Sequence, residues 1–167
     1  MGEAPLPIPS ASSLFVTCNH VRHGTERQNA HRFGRRFVSL YGTVVVPQQV
    51  IAELKDSAAP PEVRRWASSL PDWIDVRAAV VSDDDMTHLD LGERAAIALA
   101  QSEPGALLLI DETAGRIEAS RRGIKNTGTL GVLRAAALKD YLDLPTALAR
   151  LLETNFRVSM AGERSAR

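Results

Sequence analysis

Residues 89–133 read LDLGERAAIALAQSEPGALLLIDETAGRIEASRRGIKNTGTLGVL, and this stretch decides the fold. Its pattern predicts helix, strand, helix, strand and helix: an apolar helical stripe, a buried strand over residues 107–110, and a second helix that ends at Gly123. Strands that alternate with helices indicate a parallel sheet layered by helices. We therefore expect an α/β fold, a three-layer sandwich with a central parallel β-sheet.

Acidic side chains stand at two joints of this pattern. Glu93 opens the first helix, and Asp111 and Glu112 directly follow the buried strand. In an open parallel sheet, ligands bind outside the carboxyl ends of the strands, where helices begin. A helix over residues 91–102 is about 18 Å long and the returning strand covers about 16 Å, so Glu93 and Asp111 can lie at the same edge. Carboxylates gathered at such an edge hold divalent metal ions for phosphoester chemistry.

Each of these acids also has a purely structural explanation. Glu93 near a helix N-terminus stabilises the helix dipole by roughly 0.3–1 kcal/mol. Asp111 is suited to be the N-cap of the next helix, with Glu112 in its first turn. Glu53, in VPQQVIAELKD, is typical of a solvated helix residue. Capping and catalysis are compatible, so these explanations do not exclude a metal site.

Polar side chains near the predicted edge are candidates for contact with nucleic acid. A rim of basic residues beside an acidic edge would contact phosphates, although a solvated helix face is the usual role of such residues. The candidates are Arg116, Arg121, Arg122, Thr127 and Thr129.

The composition describes a soluble globular protein without a strong overall charge. The 167 residues include 20 basic and 20 acidic side chains, so net attraction to nucleic acid is not expected. The charge is uneven, however: residues 20–36 hold five arginines, three histidines and a single acid, Glu26. A local basic patch of this kind can bind a polyanion even when the net charge is zero.

The single cysteine and the absence of long apolar runs indicate a cytoplasmic protein. Cys18 has no second cysteine to pair with, which fits a reducing compartment. The first residues lack a signal-peptide pattern, and no apolar run approaches the eighteen or so residues that a membrane helix needs. His20 and His23 lie near Cys18, but no second ligand pair at zinc spacing follows them.

Three regions are expected along the chain. Residues 1–40 form an atypical N-terminal segment with weak periodicity, and we expect them to pack less well than the rest; they include a flexible leader, a short strand over 14–17 and a helix over 26–40. Residues 41–160 form the main domain, and 161–167 a flexible tail. The side chains expected in the core are Val44, Val45, Ile97, Leu108, Leu109, Ile110, Ile124 and Leu133.

Four pieces of the chain occur in the same order in a prokaryotic branch of PIN-like proteins: VVVPQQVIAEL, LDLGERAAIALA, LLLIDETAGR and GIKNTGTLGVL. Over residues 41–159 the chain resembles this branch, which is similar to the toxin ribonucleases of toxin–antitoxin pairs. The resemblance implies a parallel α/β sandwich whose acids bind Mg²⁺ or Mn²⁺ and cleave single-stranded RNA. By position, it assigns metal binding and catalysis to Glu53, Glu93, Asp111 and Glu112.

The resemblance also implies protein partners, because PIN toxins usually pair with an antitoxin and often form homodimers. The sequence adds only the apolar C-terminal helix around Leu148, Leu151 and Leu152. Those leucines fit packing in the core better than contact with a partner.

One expected acid is missing from the N-terminal segment. PIN nucleases place an Asp at the end of the first strand, and if LFVT is that strand, Cys18 or Asn19 takes the position. Losing one of about four carboxylates weakens a hard-cation site, so we expect weak or absent RNA cleavage. The alternatives are a degenerate PIN-fold module that binds nucleic acid or protein without catalysis, and a shifted reading frame or wrong start in this segment.

Overall fold

The sheet of this protein is entirely parallel. The computed structural model describes residues 13–16, 38–82 and 86–153. Within them lie the strands β1 Ser13–Val16, β2 Thr43–Pro47, β3 Ile74–Arg77, β4 Ala106–Leu109 and β5 Lys125–Thr127. The strands form one sheet in the order β3-β2-β1-β4-β5, and each neighbouring pair is parallel. The predicted α/β fold with a central parallel sheet is confirmed.

Helices connect the strands and cover both faces of the sheet. They are α1 Gln48–Lys55, α2 Pro61–Ala67, α3 Leu91–Ser102, α4 Thr113–Arg121, α5 Thr129–Ala137 and α6 Leu144–Leu152. The helix α3 has the predicted bounds: the side chain of Asp90 caps its N-terminus, and Gly105, with φ of 80°, turns the chain into β4. In the part of the chain that the structure describes, no helix is long and apolar enough to cross a membrane.

Strand side chains alternate between two apolar clusters, which makes the fold three-layered. The face covered by α1, α2 and α5 carries Leu14, Val16, Val44, Val46, Leu107 and Leu109. The face covered by α3 and α4 carries Phe15, Val45, Leu108 and Ile110. Strands buried on both faces need continuous apolar runs, which explains VVV and LLLI in the sequence. The expected core residues are buried except Leu133, which is half-buried.

The central strand comes from the N-terminal segment that the sequence had set apart. All four residues of β1 are buried, and the strand pairs with both β2 and β4. The expectation that residues 1–40 pack poorly is therefore wrong for residues 13–16, because Leu14 and Val16 fill one apolar cluster of the core and Phe15 fills the other. The other calls on this segment, including most of the helix over 26–40 and the positions Cys18 and Asn19, lie outside the described residues, as does the tail 161–167.

The C-terminal helix α6 departs from its predicted role in the core. None of its residues is buried, and the side chain of Leu152 is 69% exposed. Leu148 and Leu151 are half-buried. The assignment of these leucines to the core is wrong, because α6 lies at the periphery of the fold beside α5.

Candidate active site

Five carboxylates lie where β4 ends and where α3, α4 and α5 begin. We call this region the acidic edge; its members are Glu53, Asp90, Glu93, Asp111 and Glu112. The parallel sheet brings them together, because Leu109 at the end of β4 pairs with Thr127 at the end of β5. The helices that follow these two strands therefore start side by side. Of the four acids predicted for the site, Glu53 and Glu112 act on the charge of Glu93, and Asp111 precedes Glu112 in the chain.

Glu93 is the buried member of the acidic edge. It lies in the first turn of α3 with 4% of its surface exposed, and its backbone N–H donates to Oδ1 of Asp90 at 2.7 Å. Burial raises the pKa of the Glu93 carboxyl to about 7, and the negative charges of Asp90, Glu112 and Glu53 add to this rise. The carboxylates that surround Glu93 thus disfavour its ionised form.

Glu53 reaches the acidic edge from α1. Its Oε1 accepts a hydrogen bond from the backbone N–H of Gly92 at 3.0 Å, which ties α1 to the first turn of α3. The side chain is half-buried rather than solvated. The prediction that Glu53 is a solvated helix residue is therefore wrong. Its carboxylate accepts a hydrogen bond from a backbone N–H in the first turn of α3, where such groups have no partner within the helix.

Asp111 is held by the first residue of α5. Its Oδ1 accepts the backbone N–H of Thr129 at 2.9 Å, and its Oδ2 accepts the hydroxyl of Thr129 at 2.6 Å. Glu112, not Asp111, is the N-cap residue of α4, and its side chain makes no capping hydrogen bond. The predicted capping roles of Asp111 and Glu112 are therefore wrong, and the exposed Glu112 carboxylate faces the edge closely enough to act on Glu93.

The oxygen donors of the acidic edge suit a hard divalent cation, although they form only part of a ligand set. In the described ranges 13–16, 38–82 and 86–153, no three His, Cys, Asp or Glu side chains converge closely enough to hold a metal ion. Mg²⁺ usually keeps several waters and is bound by one or two carboxylates together with substrate phosphates. Glu93 with Glu53 or Glu112 fits that partial ligand set, since all three side chains carry oxygen donors.

The predicted phosphate-contacting rim is only partly formed. Arg116 is exposed in the first turn of α4, next to the acidic edge. Arg121 and Arg122 lie at the opposite end of that helix, where both donate to the carboxylate of Glu118. The nine residues of this helix separate them by about 13 Å from its start, so the structure does not bring them to the acidic edge.

The two threonines have structural partners at this edge. Thr129 donates two hydrogen bonds to Asp111, so it helps to position the acid. The hydroxyl of Thr127 lies 3.4 Å from the carbonyl oxygen of Gly128. Sequence reasoning missed Asp90 as a contributor to the edge, although the spacing of Asp90 and Glu93 is that of a capping box and could have identified it.

Comparison with known proteins adds a family match. The family model that matches is DUF3368, a PIN domain, and the match covers residues 35–163. Among solved structures, the chain is similar to a PilT N-terminus domain protein from the hyperthermophilic archaeon Sulfolobus solfataricus P2. The TM-score is 0.47 and the sequence identity 14%, over 87% of this chain and 98% of that chain. No curated protein matches the chain.

Proposed function

Because this chain belongs to the PIN domain family, a family of nuclease type, we propose that it is a metal-dependent endoribonuclease with its active site at the acidic edge. The observation that carries the proposal is the environment of Glu93, buried beside three other carboxylates with a pKa raised to about 7. A buried acid among like charges costs the fold stability, and a perturbed pKa of this kind is typical of functional sites. A bound cation would offset the repulsion.

In this proposal Glu93, Glu53 and Glu112 hold Mg²⁺ or Mn²⁺. When bound, the cation activates water and stabilises the charge that develops on the scissile phosphate. Asp111, which accepts two hydrogen bonds from Thr129, binds the ion or orients a water in this proposal. Arg116, an exposed residue near the start of α4, is the candidate for contact with the RNA backbone in this proposal.

We further propose that the site is weakened, because the chain lacks an acid after the first strand. The strand β1 is the central strand of the sheet and ends at Val16. The sequence continues with Thr17, Cys18 and Asn19, none of which carries a carboxylate. This same observation favours the second candidate function, a PIN-fold module that binds nucleic acid or protein without cleaving RNA.

The experiment that tests the proposal is a Mg²⁺ or Mn²⁺ titration followed by RNA cleavage. We expect weak, metal-dependent cleavage by the wild-type chain and a further loss of at least about 100-fold in Asp111→Asn and Glu93→Gln. Glu118→Gln is the matched control, because Glu118 is equally buried but lies at the other end of α4. Equal cleavage by all these proteins would mean that the acids of the edge are not the catalysts.

Restoring the missing acid separates the two candidate functions. If the site is a weakened nuclease, Asn19→Asp or Cys18→Asp raises metal affinity and cleavage. RNA binding that needs no metal, with no cleavage in any variant, would support the binding module instead.

The resemblance to toxin ribonucleases supports three finer proposals: a toxin role, an antitoxin partner and a homodimer, all in the cytoplasm. The structural feature that favours a protein partner is the peripheral position of α6, where Leu152 is 69% exposed, beside the C-cap of α5, where Leu138 is 50% exposed.

A further inference from the structure

Two carboxylates of the acidic edge are each held against the start of a helix beside a glycine. The carboxylate of Glu53 accepts the N–H of Gly92, in the first turn of α3, at 3.0 Å. The carboxylate of Asp111 accepts the N–H of Thr129, directly after Gly128, the N-cap of α5, at 2.9 Å. Helix N-termini carry N–H groups that have no partner within the helix, so both contacts orient a carboxylate.

The backbone itself does not require glycine at either position. Gly92 lies within α3, where alanine is the better helix former. Gly128 has φ of −103° and ψ of 176°, an extended conformation that any residue adopts. Neither residue is among the glycines with positive φ in the described chain. Glycine at these two positions is therefore explained by the small space it occupies and not by its backbone conformation.

The space above each glycine is filled by the carboxylate. A Cβ at Gly92 would lie 3.0 Å from Oε1 and 3.0 Å from Oε2 of Glu53, and also 3.0 Å from Cγ2 of Val50. A Cβ at Gly128 would lie 2.5 Å from Oδ1 of Asp111. The first contact requires a shift of a few tenths of an ångström. The second requires more, and Asp111 is a short side chain already fixed by two bonds to Thr129.

We propose that Gly92 and Gly128 are positioning residues of the acidic edge. Their missing side chains let α3 and α5 begin in direct contact with Glu53 and Asp111, and so fix the orientation of both carboxylates. The part of this inference that concerns metal binding rests on the proposed function. The crowding is greater at Gly128, so Gly128→Ala has the larger effect and Gly92→Ala the smaller one.

Gly131 provides the matched control. It lies in α5, three residues after Gly128, and a Cβ there would come within 2.2 Å of the hydroxyl of Thr127. Gly131→Ala therefore makes the same substitution in the same helix and crowds a hydroxyl group instead of a carboxylate.

The experiment uses the full chain and two measurements. The first is carbon-13 NMR of the side-chain carboxyl groups without metal: the Asp111 signal moves in Gly128→Ala, the Glu53 signal moves in Gly92→Ala, and neither moves in Gly131→Ala. The second is titration with Mn²⁺ alone, in which affinity falls by about tenfold in Gly128→Ala and about threefold in Gly92→Ala. Affinity in Gly131→Ala stays at the wild-type value.

The outcomes test two separate claims, the positioning role of the two glycines and the proposed metal-dependent function. Carboxyl signals that stay in place in both glycine variants would overturn the positioning role, as would a loss of Mn²⁺ affinity in Gly131→Ala equal to that in Gly128→Ala. Signals that move as expected, in a wild-type chain that neither binds Mn²⁺ nor cleaves RNA, would support the positioning contacts and reject the proposed function. If Gly128→Ala does not fold, Gly92→Ala still tests the inference, because its crowding is smaller and alanine favours the helix.

Discussion

Glu93 and Glu118 are two equally buried glutamates in opposite electrostatic environments. Each is 4% exposed, and they lie on α3 and α4, the two helices that cover the same face of the sheet. Glu118 accepts hydrogen bonds from Nε of Arg122 at 2.7 Å and from Nη1 of Arg121 at 2.9 Å. The bond from Arg122 is the main cause that lowers the pKa of Glu118, whereas burial and neighbouring carboxylates raise the pKa of Glu93.

Because of these different environments, Glu118 stabilises the fold whereas Glu93 lowers its stability. The partners of Glu118 are three and four residues along its own helix, so helix formation alone brings the ion pairs together. The neighbours of Glu93 come from α1, from the cap of α3 and from the cap of α4, and all are acids. A fold that buries an acid among acids at the carboxyl edge of its sheet gains nothing in stability from doing so. This contrast is why Glu93, and not Glu118, belongs to the proposed site.

The largest expected effect on stability is the pH dependence that comes from Glu93. Its pKa is about 7 in the folded chain and 4.5 when unperturbed, so its contribution is fully present below pH 4.5 and is lost as the pH rises to about 7. The loss amounts to about 3 kcal/mol. We expect Glu93→Gln to resemble the wild-type chain in stability near pH 4.5 and to exceed it by about 3 kcal/mol at pH 8.

Urea denaturation of both proteins across this pH range, with a chelator present, measures that difference. Glu112→Gln serves as a control that leaves Glu93 in place and removes one of the charges acting on it, so the transition should move to lower pH. If the difference in free energy of unfolding between wild type and Glu93→Gln were constant from pH 4.5 to pH 8, Glu93 would not differ from Glu118 in the way described above.

Sequence reasoning located the edge well but not the contacts within it. The alternation over residues 89–133 was sufficient to place Glu93 and Asp111 at the same edge, because helix and strand lengths match by geometry. The partner of Asp111 could not be read in this way. Thr129 is eighteen residues away, and the contact depends on the register of Leu109 with Thr127, which only the assembled sheet fixes.

Two further features were missed for different physical reasons. A short strand was predicted over residues 14–17, but its central position was not, because four residues carry little periodic signal and the sequence that follows is basic. The ion pairs of Glu118 were within reach of the sequence, since the spacing in IEASRR puts both arginines on the face of the glutamate. The arginines were interpreted as a solvated helix face or as contacts for RNA, and neither interpretation pairs them with Glu118.

Replacement of Glu118 tests the other half of the comparison. In Glu118→Gln the two guanidinium groups lose a charged acceptor, and that of Arg122 is only 23% exposed. We expect the melting temperature at pH 7 to fall by roughly 5 °C, the opposite sign to the effect of Glu93→Gln. Because the pKa of Glu118 is lowered on folding, its contribution is present above its unfolded pKa and disappears in acid. A melting temperature unchanged at pH 7 would mean that Glu118 does not stabilise the fold.

The smallest expected effect distinguishes the two arginines that hold Glu118. The side chain of Arg121 is 73% exposed, so water competes for its bond, and exposed ion pairs contribute little to stability. The side chain of Arg122 is 23% exposed and also donates to Oε1 of Gln101 at 3.2 Å, which links α4 to α3. We expect Arg122→Gln to lower the melting temperature by about 3 °C and Arg121→Gln by about 1 °C or less.

Salt at about 1 M should remove most of the effect of Arg121→Gln and leave that of Arg122→Gln, since screening acts mainly on exposed charges. Equal effects of the two substitutions at low salt would show that exposure does not determine how much each ion pair contributes to stability. The contribution of Glu118 would then come from the total charge around it and not from the less exposed bond to Arg122.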